Sequence, residues 1–165
     1  MGVASQVHIG DDVVAGLRGP DGPLAMIQMA GVLRGLLRVE LSLFSWLGRA
    51  ARSCGSPEEV VWACSASLRA GWRAAQLETL LPVSDGLACE KLESGGPEMD
   101  FGQGRVLDVA AAWYEVLEAS YRFRLDHLSP AADGQLGRVV QRVISDLESE
   151  RATVETLRKR PGRSA

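Results

Sequence analysis

Histidine is nearly absent from this chain of 165 residues: there are two, His8 and His127. His8 lies in a mixed, turn-rich N-terminal stretch, and His127 falls at the end of a predicted helix. No Ser-His-Asp set can be assembled around either, and no phosphate loop or nucleotide fingerprint is present. Cysteine is also sparse. Cys54, Cys64 and Cys89 are an odd number without metal-like spacing, the pattern of free thiols in a reducing cytoplasm. Neither sign of charge dominates: 18 basic residues face 21 acidic ones, for a net charge of −3. That balance gives no electrostatic case for nucleic acid or an anionic membrane. No apolar run approaches the ~20 residues of a membrane span. The N-terminus has no basic region followed by an apolar one, so no signal peptide is expected. "MGVASQ" places Gln6 where a myristoylation site needs Ser or Thr. Strand-like alternation and internal repeats are missing too. The expectation is a soluble, cytoplasmic, all-α protein of one domain.

What remains is helical periodicity. Residues 1–22 contain the turn cluster "RGPDGP" and read as a lead-in that packs loosely. A first long helix is expected from Pro23, capped by Asp21 or Gly22, to about Ser53, where "SCGSP" stops it. A second starts at "SPEE", with Ser56 as N-cap, Pro57 in the first turn and Glu59 closing a capping box. Its apolar stripe reads Val61, Cys64, Leu68, Trp72 and Ala75, and Pro82 ends it. After a long connection with a short helical turn at "LACEKLE", a third helix spans 105–127. Leu107, Ala110, Tyr114, Leu117, Tyr121 and Leu128 form its apolar face. Ser129 and Pro130 open a fourth, with Leu136, Val140, Val143, Leu147, Val154 and Leu157 in register. Residues 161–165 end a locally basic tail.

Two short links and one long middle link suit a four-helix bundle over residues 23–160, with a long crossover between the second and third helices, as in ferritin-like folds. About 23 residues, at ~3.3 Å each when extended, can run back along a helix ~35–40 Å long.

Within the first helix, "LLRVELSLFSWL" covers Leu36 to Leu47. Its strongest stripe passes through Met26, Met29, Leu33, Leu36/Leu37, position 40, Leu43/Phe44 and Leu47. Glu40 is thereby set in the middle of the buried face. A carboxylate taken out of water needs a partner, a metal or a proton.

The stretch from Val39 to Leu81, "VELSLFSWLGRAARSCGSPEEVVWACSASLRAGWRAAQLETLL", resembles the first helical hairpin of bacterial ferritin-like proteins of the tRNA-hydroxylase-like branch. Their first helix carries Glu-Leu-Ser/Ala-x-Phe, and their second a Glu-x-Gly-His-like element. "YEVLEASYRFRLDHLSPAADGQLGRVVQRVISDLESERATVETL" resembles their second hairpin more weakly, so the likeness spans residues 24–158. It implies a pair of iron or manganese ions inside the bundle. One Glu comes from each of two helices, and a Glu-x-x-His motif from each of the other two. Glu40 matches the first ligand. Arg69, however, stands where that family has Glu, and Trp72 where it has His. "SDLESER" on the fourth helix offers no Glu-x-x-His. Glu115 and Glu118 share the polar side of the third helix with Asp108 and Arg122 and read as a solvated face.

These departures turn the reading from a metal site to its replacement. Arg69 is expected to pair with Glu40, because a guanidinium matches a carboxylate bidentately. With Glu150 and Arg151 it would complete a neutral interior quartet needing no cofactor. Trp72 is expected to fill the core where a metal would sit, and Tyr114 and Tyr121 to border the same pocket. Three functions follow. The first is a metal-free binding or structural bundle, whose occupant is a small apolar molecule held between helices or a protein partner. The second is a metal-independent enzyme using Glu, Arg or Tyr for acid–base chemistry. The third is a di-iron oxygenase with an atypical ligand set. A homodimer through the first two helices is also expected, because Ile27, Val32, Val39, Leu41 and Trp46 lie off the core stripe and need cover.

Overall fold

The computed structural model describes residues 9–82, 101, 104–129 and 133–159. All regular structure among them is helical: α1 (Asp11–Arg18), α2 (Met26–Ala50), α3 (Pro57–Glu78), α4 (Val106–Asp126) and α5 (Gly134–Lys159), with a 3-10 turn at Ala51–Ser53. The turn at "LACEKLE", Pro130, His8, Cys89 and the C-terminal tail lie outside the described residues.

The start of α3 is the one written most plainly in the sequence. Ser56 Oγ accepts the Glu59 amide at 3.2 Å, Pro57 occupies the first turn, and the Glu59 carboxylate reaches back to the Gly55 amide at 3.0 Å. Two otherwise unpaired donors are satisfied in this way. The α2 helix begins three residues later than expected, at Met26 rather than Pro23. There the Ala25 amide donates to Gln28 Oε1 at 2.9 Å.

The described part of the lead-in, residues 9–22, packs on the long helices. Helix α1 lies on α2 and α4, with Leu17 buried in the core. Its C-terminal end is held from α4. The side chain of Arg124, which is 1% exposed, donates to the carbonyls of Arg18 (3.0 Å), Pro20 (2.7 Å) and Gly22 (3.3 Å). These carbonyls include a helix C-terminus, where a guanidinium is favourably placed. Gly19, at φ 69°, sits so close to Val32 that a side chain there would collide with it. Much of the second apolar stripe of α2 is therefore covered by the chain itself. Val32 and Val39 are buried, and Trp46 stacks on Phe101 at 5.1 Å; only Ile27 and Leu41 of that set are exposed.

The most extensive packing is between α2 and α3 and between α4 and α5; α3 also touches α5, and α2 touches α4. Cross-helix pairs fix the directions. Glu40 meets Arg73 while Phe44 meets Ser67, so α2 and α3 are antiparallel. Arg69 meets Glu150 and Arg73 meets Asp146, so α3 and α5 are antiparallel. Arg151 meets Glu118 and Arg158 meets Asp108, which makes α4 and α5 antiparallel. Helices α3 and α4 consequently run the same way.

The buried face of α3 corrects the expected one. Trp62, Ala63, Ala66, Ser67, Ala70, Arg73, Ala74 and Leu77 point inward, whereas Val61, Cys64, Leu68, Trp72 and Ala75 are exposed. Small residues let α2 approach closely. Ser67 Oγ donates to the Phe44 carbonyl at 2.7 Å, and a Cβ on Gly71 would stand 3.1 Å from the Phe44 ring.

A buried polar layer contributed by every long helix

Glu40 is completely buried, as its place in the α2 stripe requires. Its partner is Arg73, not Arg69: Arg73 Nε donates to Glu40 Oε2 at 2.9 Å, and both side chains are 0% exposed. Tyr121 of α4 donates its hydroxyl to the other carboxylate oxygen, Oε1, at 3.1 Å. Arg73 Nη1 donates in turn to Asp146 Oδ2 of α5 at 2.5 Å. One side chain from each of α2, α3, α4 and α5 thus meets in a single layer.

One turn of α3 away is a second set. Arg69 forms an ion pair with Glu150, and Trp62 Nε1 donates to Glu150 Oε2 at 3.1 Å. The pairing of 69 with 150 and 73 with 146 follows from four-residue steps on two antiparallel helices. The two pairs differ in access. Arg69 is 43% exposed and Glu150 is 1% exposed, so here the guanidinium faces outward and the carboxylate inward. An open groove of about 440 Å³ between α3 and α5 runs past this pair, with Pro57, Val61, Trp62, Arg69 and Leu157 in its wall.

Other expected members lie elsewhere. Arg151 is 43% exposed and bridges to Glu118 of α4 at 2.6 Å, outside the interior quartet. Glu118 is not on a solvated face; Arg122 (2.9 Å) and Arg151 cover it, and Arg122 continues to Glu148. Trp72 does not fill the core. It is 37% exposed at the α3–α5 edge, with the Arg142 guanidinium 5.9 Å from its ring centre. Tyr114 and Tyr121 are both buried as expected, but their hydroxyls differ: that of Tyr114 has no hydrogen-bond partner among the described residues, and neither has Arg73 Nη2.

Counting formal charges, Glu40, Asp146 and Glu150 against Arg69 and Arg73 leaves one excess negative charge. Burial pushes the Glu40 carboxyl above its ordinary value, and the opposing pull of Arg73 and the hydrogen bonds from Arg73 and Tyr121 do not cancel it. Glu150 is raised too, chiefly by burial, against the pull of Arg69 and Trp62. Burial works against the charge on Arg73, but Glu40 first, then Tyr114 and Asp146, raise it above the ordinary arginine range. Arg73 keeps its proton, and the excess negative charge favours proton uptake by a carboxyl group.

These residues do not fit a pair of metal ions. A guanidinium lies between the two carboxylates of the central layer, where a cation would be repelled. Among the described residues no three of His, Cys, Asp or Glu come together in a way that could hold an ion. His127, the one histidine among the described residues, caps α4 and bonds the Phe123 carbonyl rather than facing the layer.

Compared with protein-family models, with curated proteins and with solved structures, the chain matches none. Among the described residues no helix is long and apolar enough to cross a membrane.

Proposed function

We propose that this chain is a ferritin-like four-helix bundle in which ion pairs stand where metal ions would, and that it acts as a binding or structural protein rather than an enzyme. The observation that carries this is Arg73, held between Glu40 and Asp146 with Tyr121 closing the layer. The parallel course of α3 and α4, joined by a long segment, supports the ferritin-like topology. The reading as a metal-free acid–base enzyme is disfavoured by access: Glu40 and Tyr121 are 0% exposed, so no substrate atom reaches either. Purified protein is expected to carry no stoichiometric iron, manganese or zinc. Elemental analysis giving about two ions per chain, the loading of a di-metal bundle, would end this reading and restore the oxygenase one.

A homodimer through the outer faces of α2 and α3 belongs to the same proposal. Leu41, Phe44 and Leu68 are 41%, 42% and 70% exposed, a costly arrangement for a monomer. Light scattering at micromolar concentration should give twice the chain mass, and a monomer would count against this interface.

A further inference from the structure

We infer that the groove between α3 and α5 binds a small amphipathic carboxylate, with Arg69 taking the acid group and Val61, Trp62 and Leu157 the hydrocarbon. This rests on the binding-protein reading and gives it a place and a ligand class.

The argument begins with the asymmetry of the two ion pairs. Arg73 is sealed and meets two carboxylates, so nothing can compete for it. Among the described residues Arg69 has Glu150 as its one charged partner, and 43% of its side chain is open. Glu150, 1% exposed, does not depend on Arg69 alone, since Trp62 Nε1 holds it from the same helix. A guanidinium has five donors in a planar fork, and one carboxylate does not exhaust them. Arg69 can therefore accept a second carboxylate from the groove side without uncovering the first.

Shape and composition narrow the ligand. At about 440 Å³ the groove lies in the range of small-molecule sites. Its wall has a proline, a valine, an indole and a leucine on the apolar side, with Arg69 as its one basic group. That combination matches a molecule apolar along its length and anionic at one end. The other charged wall residue, Glu58, lies in the first turn of α3 and repels a second anionic group, which favours a monocarboxylate over a dicarboxylate.

Three ten-carbon probes test the idea by isothermal titration of the intact chain: decanoate, decanol and decyltrimethylammonium. Decanoate should bind one per chain and decanol about tenfold or more weaker, the loss expected when a charge-assisted contact is removed. Arg69→Gln should reduce decanoate to the decanol level and leave decanol unchanged. Val61→Glu, at a site 67% exposed where folding is not at stake, should weaken both decanoate and decanol, and decanoate the more because the new carboxylate repels it. Equal binding of decanoate and decanol, tighter binding of decyltrimethylammonium, or wild-type decanoate affinity in both variants would overturn the inference. So would no binding by any probe. None of these outcomes bears on metal content, so the metal-free reading stands or falls separately.

Discussion

Two ion pairs one helical turn apart, Arg73–Glu40 and Arg69–Glu150, use the same chemistry under different conditions. In the first, both partners are cut off from water and the arginine is shared with Asp146. In the second, only the carboxylate is sealed and the arginine forms part of a groove wall. A charge pair closed on all sides ties its helices to one another, here α2, α3 and α5, and is shut off from any outside partner. One that is open on the cationic side retains capacity to recognise something. On the binding reading proposed above, one face of α3 would carry both a structural pair and a recognition pair.

That contrast breaks most visibly under mutation. Glu40→Ala leaves Arg73 buried with Asp146 alone and should cost about 3–5 kcal/mol, the loss typical of a buried pair reduced to one partner. Glu40→Leu combined with Arg73→Met should recover much of it, because Asp146, with 21% of its side chain exposed, can turn to water. Arg69→Met should cost less, about 1–2 kcal/mol, since Glu150 keeps its bond to Trp62 and can take up a proton. Urea denaturation of the four proteins measures all three values, and adding Glu40→Leu and Arg73→Met singly completes the double-mutant cycle for the closed pair. If Arg69→Met proved as damaging as Glu40→Ala, the open pair would be as structural as the closed one.

Much of this arrangement was legible in the sequence. The stripes of α4 and α5 were correct because large aliphatic residues recur there at helical spacing and are all buried, from Leu107 to Tyr121 and from Leu136 to Leu157. The burial of Glu40 followed from the same periodicity. Helix α3 misled because its outer face carries bulky apolar residues, Val61, Leu68 and Trp72, whereas its inner face includes four alanines, a serine and an arginine. Burial there is decided by how closely α2 can approach and by whether Arg73 finds carboxylates, neither of which hydrophobicity reports. One signal was available: Arg73 falls in phase with Trp62, Ala66, Ala70 and Leu77, the small-residue face. The tie between α1 and Arg124 had no such signal, because backbone carbonyls are invisible to residue patterns.

Titration sharpens the comparison further. Glu40 and Glu150 are raised above the ordinary 4.5 by burial first, so the folded state binds protons more tightly than the unfolded chain. Between 4.5 and the raised folded values, the unfolded chain has released protons that the folded chain retains, and stability must fall as pH rises through that window. Glu59 and Glu118 behave oppositely. Burial pushes them up, but the Arg105 and Gly55 bonds to Glu59, and the Arg151 and Arg122 bonds to Glu118, hold both below 4.5. Their stabilisation is present above 4.5 and is lost as pH falls through the folded values. Stability should therefore peak on the acid side of neutrality. Glu40→Gln cannot titrate at that position and should show a shallower decline above pH 4.5 than wild type in thermal melts across pH. An unchanged slope would mean that Glu40 is ionised throughout.

The smallest effect expected concerns Tyr114, whose buried hydroxyl has no partner among the described residues, while that of Tyr121 bonds Glu40. An unpaired buried hydroxyl costs about 1–3 kcal/mol, and a phenylalanine of the same shape does not carry that cost. If Tyr114 serves only to fill volume, Tyr114→Phe should be neutral or stabilising by about 1 kcal/mol, whereas Tyr121→Phe should be destabilising because it removes a donor from a buried carboxylate. Burial first, then Glu150, Arg73, Glu40 and Arg69, bear on the Tyr114 phenol, which places it electrically between the closed and the open pair and holds its proton firmly on oxygen. A neutral phenol there keeps a donor available to a neighbouring carboxylate. The two variants compared by denaturant melts decide between the roles. Should Tyr114→Phe destabilise as much as Tyr121→Phe, its hydroxyl must bond in solution to one of those carboxylates, and the two pairs would form one connected network.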